Sequence, residues 1–157
     1  MLGTRGRSGG QMDAFHATFG PTGADGYPAK LWDAETGAID PEVAKYWREH
    51  YDLTAMLQRD WDRLGTRLVG KIHVTMGTKD TFYLDAASHR MHDFLESTKL
   101  PGKGPYYGGS FEFGNNKPHC YVGEIPDGVP MGTHFVRLFG DYIRSAAPKG
   151  TDVSGWK

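Results

Sequence analysis

Asp80 and His119 are the pair of side chains that this sequence best places to do chemistry together. Asp80 follows an apolar stretch at residues 68–76 that is bounded by Gly77, and His119 follows the aromatic stretch at residues 110–114. An aspartate can hold a histidine ring in one tautomer and leave the other ring nitrogen free as a base. Both side chains fall at predicted strand ends, where α/β folds build their sites. The alternative is that Asp80 caps the next helix and His119 packs in a turn.

Ser8 is a second candidate, because residues 6–10, "GRSGG", fit the pattern Gly-x-Ser-x-Gly of serine hydrolases. A working nucleophile elbow needs a strand that feeds the turn and a helix that leaves it. The preceding residues 1–5, "MLGTR", are too short and polar for a buried strand, and the two glycines after Ser8 start a helix poorly. The pattern therefore favours a flexible terminus over a nucleophile, and Ser8 is kept as the weaker candidate.

A third group could hold a divalent metal ion. Its four members share one stripe of a predicted helix at spacings i, i+4, i+7 and i+11: Asp85, His89, His92 and Glu96. Imidazole and carboxylate groups at this spacing could bind zinc or calcium, or position a water molecule for attack. The helix lacks the His-Glu-x-x-His pattern that would make zinc chemistry specific. A solvated polar helix face is the favoured interpretation.

The elements that must position these residues alternate between strand and helix. We predict a strand at residues 68–76, a helix at 83–99, a strand at 110–114 and a further extended piece at 119–125. This order predicts a parallel α/β unit. The inward positions predicted for the helix at 83–99 are Leu84, Ala87, Met91, Phe94 and Leu95.

Helices are predicted on either side of this unit. Asp40 and Pro41 are typical of a helix start, and a second helix is predicted at residues 53–65, closed by Gly65. A last helix is predicted at residues 131–146. Its predicted buried stripe consists of Phe135, Leu138, Phe139, Tyr142 and Ile143. Residues 1–40 are expected to form a glycine-rich extended arm with a short strand at 15–19, ahead of an α/β domain at 41–157 within one compact whole.

Composition narrows the function classes. The chain has 157 residues, a hydrophobic fraction of 38% and a net charge of −1, which suits a globular domain and argues against nucleic acid or an anionic membrane as a partner. No apolar run approaches the length of a membrane span, and the N-terminus has no signal-peptide pattern. The lone Cys120 fits a reducing compartment, so a cytoplasmic protein is expected.

Several segments carry a resemblance to a known family. They are "GGQMDAFHATFGPTGADGYPAKLWDAETGAIDPEVAKYW", "LVGKIHVTMGTKDTFYLD" and "PYYGGSFEFGNNKPHCYVG", which run from about residue 9 to residue 123. Together they resemble the C-terminal half of the esterase D-like family of the α/β-hydrolase superfamily. The resemblance implies that Asp80 is the triad acid and His119 the triad histidine. It also implies a nucleophile elbow in an upstream half, which has no counterpart here.

The expected function is hydrolysis of a carboxylic ester or a lactone by the Asp80–His119 pair, with acyl-homoserine lactones among the substrates considered. The nucleophile would be water or Ser8. Two alternatives stay open, a metal-dependent hydrolase that uses the His89 and His92 stripe, and an inactive hydrolase remnant that binds a partner or ligand. A small sheet leaves open edges, so a homodimer is also expected. The predicted fold class is α/β, with a small and mostly parallel sheet flanked by helices. This fold would resemble the C-terminal half of an α/β-hydrolase.

Overall fold

The computed structural model describes residues 10–155 and divides the chain into two compact units, Met1–Met56 and Leu57–Lys157. The division falls after Met56, whereas the predicted boundary lies after residue 40. The described elements are α1 (Gln11–Phe19), α2 (Pro41–Tyr51), α3 (Leu53–Leu68), β1 (His73–Lys79), α4 (Leu84–Ser97), β2 (Ser110–Pro118) and α5 (Met131–Ala146). Among these elements, no helix has the length and apolar character that crossing a membrane requires.

The first unit corrects the prediction of an extended arm. Residues 15–19 belong to α1 and not to a strand. The ring of Phe19 packs edge-on against Trp47 at 6.0 Å and against Tyr51 at 5.1 Å, both on α2. These aromatic contacts favour an ordered helix over an arm because they bury apolar surface that an isolated segment would expose.

Helix α2 begins where the sequence predicted. One carboxylate oxygen of Asp40 accepts hydrogen bonds from the backbone N–H groups of Glu42 at 2.9 Å and Val43 at 3.1 Å. Pro41 occupies the first helical position, where its missing N–H costs nothing. The predicted cap is therefore confirmed.

Helix α3 continues past its predicted end at Gly65 and runs to Leu68. A Cβ atom on Gly65 would lie 2.8 Å from the ring of Pro105 and 2.9 Å from that of Trp61. The indole N–H of Trp61 also donates to the carbonyl of Pro105 at 3.0 Å. Gly65 therefore allows close packing inside the helix, and the prediction that it ends the helix was wrong.

The mixed α/β character is confirmed, with a small parallel sheet made of β1 and β2 in the part of the chain that the structure describes. The first strand begins at His73, five residues later than predicted, because α3 ends at Leu68 and residues 69–71 form a turn. The predicted extended piece at 119–125 forms no strand. Pairing runs from His73↔Ser110 to Gly77↔Gly114 and resumes at Lys79↔Pro118, so β2 bulges in between.

The core of the second unit lies where α3, α4 and the sheet meet. Its buried members are Leu57, Trp61, Leu95 and Tyr107, with Leu68, Ile72, Met91, Phe94 and Phe111 packed against them. The inward positions predicted for Met91, Phe94 and Leu95 are thus confirmed. Leu84 and Ala87 are exposed instead, because the buried contacts of α4 are concentrated in its C-terminal half.

Helix α5 forms as predicted, but its predicted stripe is not buried. No residue of α5 is buried, and the side chains of Phe139 and Ile143 are 56% and 46% exposed. The described sheet has two strands, and its small area leaves much of the apolar stripe of α5 uncovered. The helix predicted from the sequence period is confirmed, and the burial of its apolar stripe predicted from the same period was wrong.

Leu95 should be the most sensitive apolar position of this core, because its side chain is fully buried. Leu95→Ala is expected to lower the free energy of unfolding by about 2–5 kcal/mol, through lost apolar contacts and the cavity left behind. Urea denaturation followed by circular dichroism measures this change. Leu100→Ala is the matched control, since Leu100 is 58% exposed and should change the unfolding free energy by less than about 0.5 kcal/mol. Equal effects of the two substitutions would contradict the assigned core.

Candidate functional site

The two strands deliver Asp80 and His119 to the same edge of the sheet. Lys79 of β1 pairs with Pro118 of β2, and these are the last paired residues of the two strands. Asp80 follows Lys79 directly and His119 follows Pro118 directly. Parallel strands end at the same side of a sheet, so the register itself brings the carboxylate and the imidazole together.

A short hydrogen bond joins the pair. The Nδ1 atom of His119 lies 2.7 Å from Oδ2 of Asp80. An ionised carboxylate only accepts hydrogen bonds, so Nδ1 carries the proton and Nε2 of the neutral ring is left with its lone pair. The side chain of His119 is 37% exposed, and Nε2 has no hydrogen-bond partner within residues 10–155. This is the geometry of a histidine base oriented by an aspartate.

Asp80 performs both of the roles that the sequence left open. Its side chain is 1% exposed, and its second oxygen, Oδ1, accepts from the N–H of Phe82 at 2.7 Å and from that of Leu84 at 3.5 Å. One oxygen thus orders the turn into α4 while the other holds His119. Burial raises the pKa of the Asp80 carboxyl, but the hydrogen bonds from His119, Phe82 and Leu84 more than offset it, so the pKa lies below its usual value.

The lowered pKa of Asp80 predicts a pH dependence of stability. A carboxyl whose pKa is lower in the folded state stabilises the fold above its unfolded pKa, about 3.9, and loses this contribution as the pH falls through the folded pKa. The melting temperature of the wild type should therefore exceed that of Asp80→Asn at neutral pH, and the difference should shrink below about pH 4. Thermal melts from pH 7 to pH 2 measure it. Asp127 is at an exposed loop position, so the melting temperature of Asp127→Asn should change with pH in the same way as that of the wild type. A constant difference between wild type and Asp80→Asn would contradict the assignment.

The site is surrounded by unusual backbone. Within residues 10–155, the non-glycine residues with positive φ are Tyr83 at 58°, Asn116 at 55° and Cys120 at 64°, and each lies within four residues of Asp80 or His119. Left-handed backbone at such residues costs of order 1 kcal/mol or more each. The N–H of Asn116 donates to the hydroxyl of Thr78 at 2.9 Å, which fixes the bulge of β2 before His119. Such strain is common where a site is held in a set geometry.

Two positioning residues escaped the sequence analysis. The ring of Phe82 packs edge-on against His119 with centroids 4.7 Å apart, which holds the imidazole from a second side. A Cβ atom on Gly77 would lie 2.3 Å from the carbonyl oxygen of Lys117 and 2.4 Å from that of Pro118. Glycine at this position therefore permits the close approach of β2. Both residues lie in the segment "LVGKIHVTMGTKDTFYLD" that carries the resemblance, but no periodicity indicates the positioning role of either.

Ser8 lies outside the described residues, so its candidate role stays a prediction. Cys120 is exposed and follows His119 in left-handed backbone. Within residues 10–155 no hydroxyl or thiol side chain is hydrogen-bonded to His119. The described residues therefore supply no side-chain nucleophile in hydrogen-bond contact with this histidine.

The four predicted metal ligands do not come together. Residues 10–155 contain no group of three or more His, Cys, Asp or Glu side chains arranged to hold a metal ion. The ring of His89 stacks on Phe113 at 4.0 Å, and that of His92 packs edge-on against Phe111 at 5.0 Å. Glu96 accepts instead from the hydroxyl of Tyr107 at 2.9 Å. His89 is nevertheless exposed and the other three residues are half-buried, so the stripe is partly solvated while its histidine rings pack on the aromatic residues of β2. The metal site stays a prediction that no cluster within residues 10–155 supports.

No family model, curated protein or solved structure matches the chain. The resemblance to esterase D-like hydrolases therefore stays a prediction. What the structure contributes to a functional argument is the placement of Asp80 and His119 at one edge of the sheet.

Proposed function

We propose that this chain hydrolyses carboxylic esters or lactones, with His119 as the general base and Asp80 as the group that orients it. The observation that carries the proposal is the 2.7 Å bond between Asp80 Oδ2 and His119 Nδ1, on a ring whose Nε2 is unpartnered within residues 10–155. A buried carboxylate paired with a part-exposed imidazole stabilises the imidazolium that forms when the base takes a proton.

The proposed reaction needs one water molecule and no oxidant. Nε2 of His119 takes a proton from water as the water oxygen attacks the carbonyl carbon and the carbonyl π electrons move to oxygen. The tetrahedral intermediate then expels the alkoxide, which receives the proton back from His119. The product acid releases its own proton to solvent. A lactone gives one hydroxy acid, and an ester gives an acid and an alcohol.

The turn after Asp80 limits the substrates we expect. The backbone N–H groups of Phe82 and Leu84 bond to the carboxylate of Asp80, and that of Tyr83 bonds to its carbonyl at 3.1 Å. These three groups are thus committed and are not available as donors to an oxyanion. Base catalysis without them suits activated esters and strained lactones, acyl-homoserine lactones included, and not amides, because oxyanion donors are worth about 10²–10³-fold in rate.

Asp80→Asn tests the proposal with a nearly isosteric change. An asparagine amide favours the wrong histidine tautomer, so kcat/KM for a short-chain chromogenic ester and for a simple lactone should fall by about 10²–10⁴-fold. Asp85→Asn is the matched control, since Asp85 lies outside the pair and belongs to the predicted metal stripe. It should leave kcat/KM unchanged, as should a chelator.

Each other outcome has a definite meaning. Full activity in Asp80→Asn would overturn the assigned role of the Asp80–His119 pair. No turnover by the wild type on either substrate would overturn the proposal in favour of a binding remnant. Loss of activity in Asp85→Asn or with chelator would move the chemistry to a metal ion. Loss in Ser8→Ala, with Asp80 also required, would replace water by Ser8 as the nucleophile.

A further inference from the structure

The second unit contains a groove that the proposed reaction does not use. It encloses about 560 Å³, and Gly70, Lys71 and His73, at the start of β1, form one side of it. Asp80 follows the other end of the same strand, about 23 Å away at 3.3 Å per residue. The groove is therefore a site separate from the Asp80–His119 pair, and its volume lies within the usual range of small-molecule sites.

Most of the groove is apolar. The wall formed by α5 and the segment after it consists of Phe139, Tyr142, Ile143, Ala146, Ala147, Pro148, Thr151 and Val153. Two of these, Phe139 and Ile143, are about half exposed, so their apolar surface gains from being covered. A chain of methylene groups laid along this wall would remove that surface from water.

The two sides of the groove touch at one pair of rings. The rings of His73 and Tyr142 stack face to face with centroids 3.5 Å apart and planes 1° from parallel. The two ring nitrogens of His73 are held by the Ser110 hydroxyl at 2.8 Å and the Gly70 carbonyl at 3.0 Å. Both nitrogens are thus occupied, so His73 offers a ligand no free hydrogen-bond donor.

The charged side chain that lines the groove is positive. Lys71 is the one lysine or arginine among the lining residues, and no aspartate or glutamate lines the groove. No ion pair involves Lys71 within residues 10–155. An apolar wall beside an uncompensated ammonium group is complementary to a molecule with an apolar chain and an anionic head. We propose that the groove binds a free medium-chain carboxylate, with its carboxylate at Lys71 and its alkyl chain along α5.

Calorimetric titration of the full chain with decanoate, below its micelle concentration, tests this site. We expect saturable binding of one decanoate per chain, and butyrate at least about 100-fold weaker because six buried methylenes are lost. Lys71→Gln should weaken decanoate about fivefold and leave decanol unchanged, since the lysine meets the head group at an exposed edge. Lys103 is another exposed lysine of the same unit, so Lys103→Gln is the matched control. It should change neither the affinity for decanoate nor that for decanol.

Ile143→Glu provides a second variant that keeps the proposal falsifiable. Ile143 is 46% exposed, so the change is expected to leave the fold intact while it places a negative charge on the apolar wall. Decanoate binding should fall at least about tenfold. Absence of saturable decanoate binding to the wild type, or equal affinity in Ile143→Glu, overturns the proposal. If the wild type is a dimer that Ile143→Glu dissociates and decanoate does not bind, a second copy occupies the groove and the proposal is likewise overturned. Because binding is measured without turnover, these outcomes are independent of the proposed hydrolysis.

Discussion

His119→Ala is expected to lower kcat/KM for a short-chain chromogenic ester by about 10²–10⁴-fold, the usual contribution of a general base. The physical reason is that, in the proposed reaction, Nε2 of His119 takes the proton from water, while Nδ1 is held by Asp80. Initial rates at several substrate concentrations measure kcat and KM separately. We expect the loss in kcat, because the ring acts on the transition state and not on substrate binding.

Imidazole added to His119→Ala distinguishes a base from a structural residue. Since the side chain of His119 is 37% exposed, removing it leaves space that solvent can reach, and free imidazole should restore part of the rate in proportion to its concentration. His134→Ala is the control, because the ring of His134 contacts Phe135 of α5. It should keep wild-type kcat and show no response to imidazole. Unchanged activity in His119→Ala would contradict the assigned base.

Gly77→Ala is expected to abolish most activity and to lower the free energy of unfolding by about 1–3 kcal/mol, as overpacking does. Its Cβ atom would meet the carbonyl oxygens of Lys117 and Pro118 at 2.3 and 2.4 Å, distances that force one strand to move. These are backbone atoms, so no side-chain rotation relieves the clash. The residue after Pro118 is His119, and a displacement of β2 there separates the imidazole from Asp80.

Gly132→Ala is the matched control for this substitution. Gly132 lies in α5, and a Cβ atom there would meet no atom within 4 Å. Gly132 is the second residue of α5, where alanine is compatible with the helix, so the control should be as stable as the wild type or slightly more stable, with full activity. Chemical denaturation and ester hydrolysis on the same preparations measure both effects. Wild-type activity and stability in Gly77→Ala would show that the close approach of the strands is not needed.

Local patterns in the sequence predicted elements whose physics is local. Asp40 accepts hydrogen bonds from the backbone two and three residues ahead, so the start of α2 depends on neighbouring residues alone. The period of α4 and α5 likewise indicated both helices. It did not indicate how deeply each is buried, because burial depends on what packs against the helix. Phe139 and Ile143 fit a helix stripe and still lie about half exposed.

Tertiary packing overrode local patterns at three places. Residues 15–19 form a helix because Phe19 packs on the aromatic rings of α2. Gly65 lies inside α3, where the ring of Pro105 approaches it closely. His89 on α4 fits a polar helix face, yet its ring stacks on Phe113 of the sheet. In each case the deciding contact comes from a residue that the local pattern does not include.

The sequence by itself determined that Asp80 comes after a strand that ends near Gly77, since an apolar run that ends at glycine is a local signal. It also indicated a strand ahead of His119, but predicted its end at Gly114, whereas β2 continues to Pro118. The tertiary structure decided that the two side chains meet. They are 39 residues apart, and their 2.7 Å contact depends on the parallel register of β1 and β2, the bulge before Pro118 and the absence of a side chain at Gly77. A register joins residues that are distant in the chain, and a shift of one residue would place each side chain on the opposite face. No pattern within one strand encodes that choice.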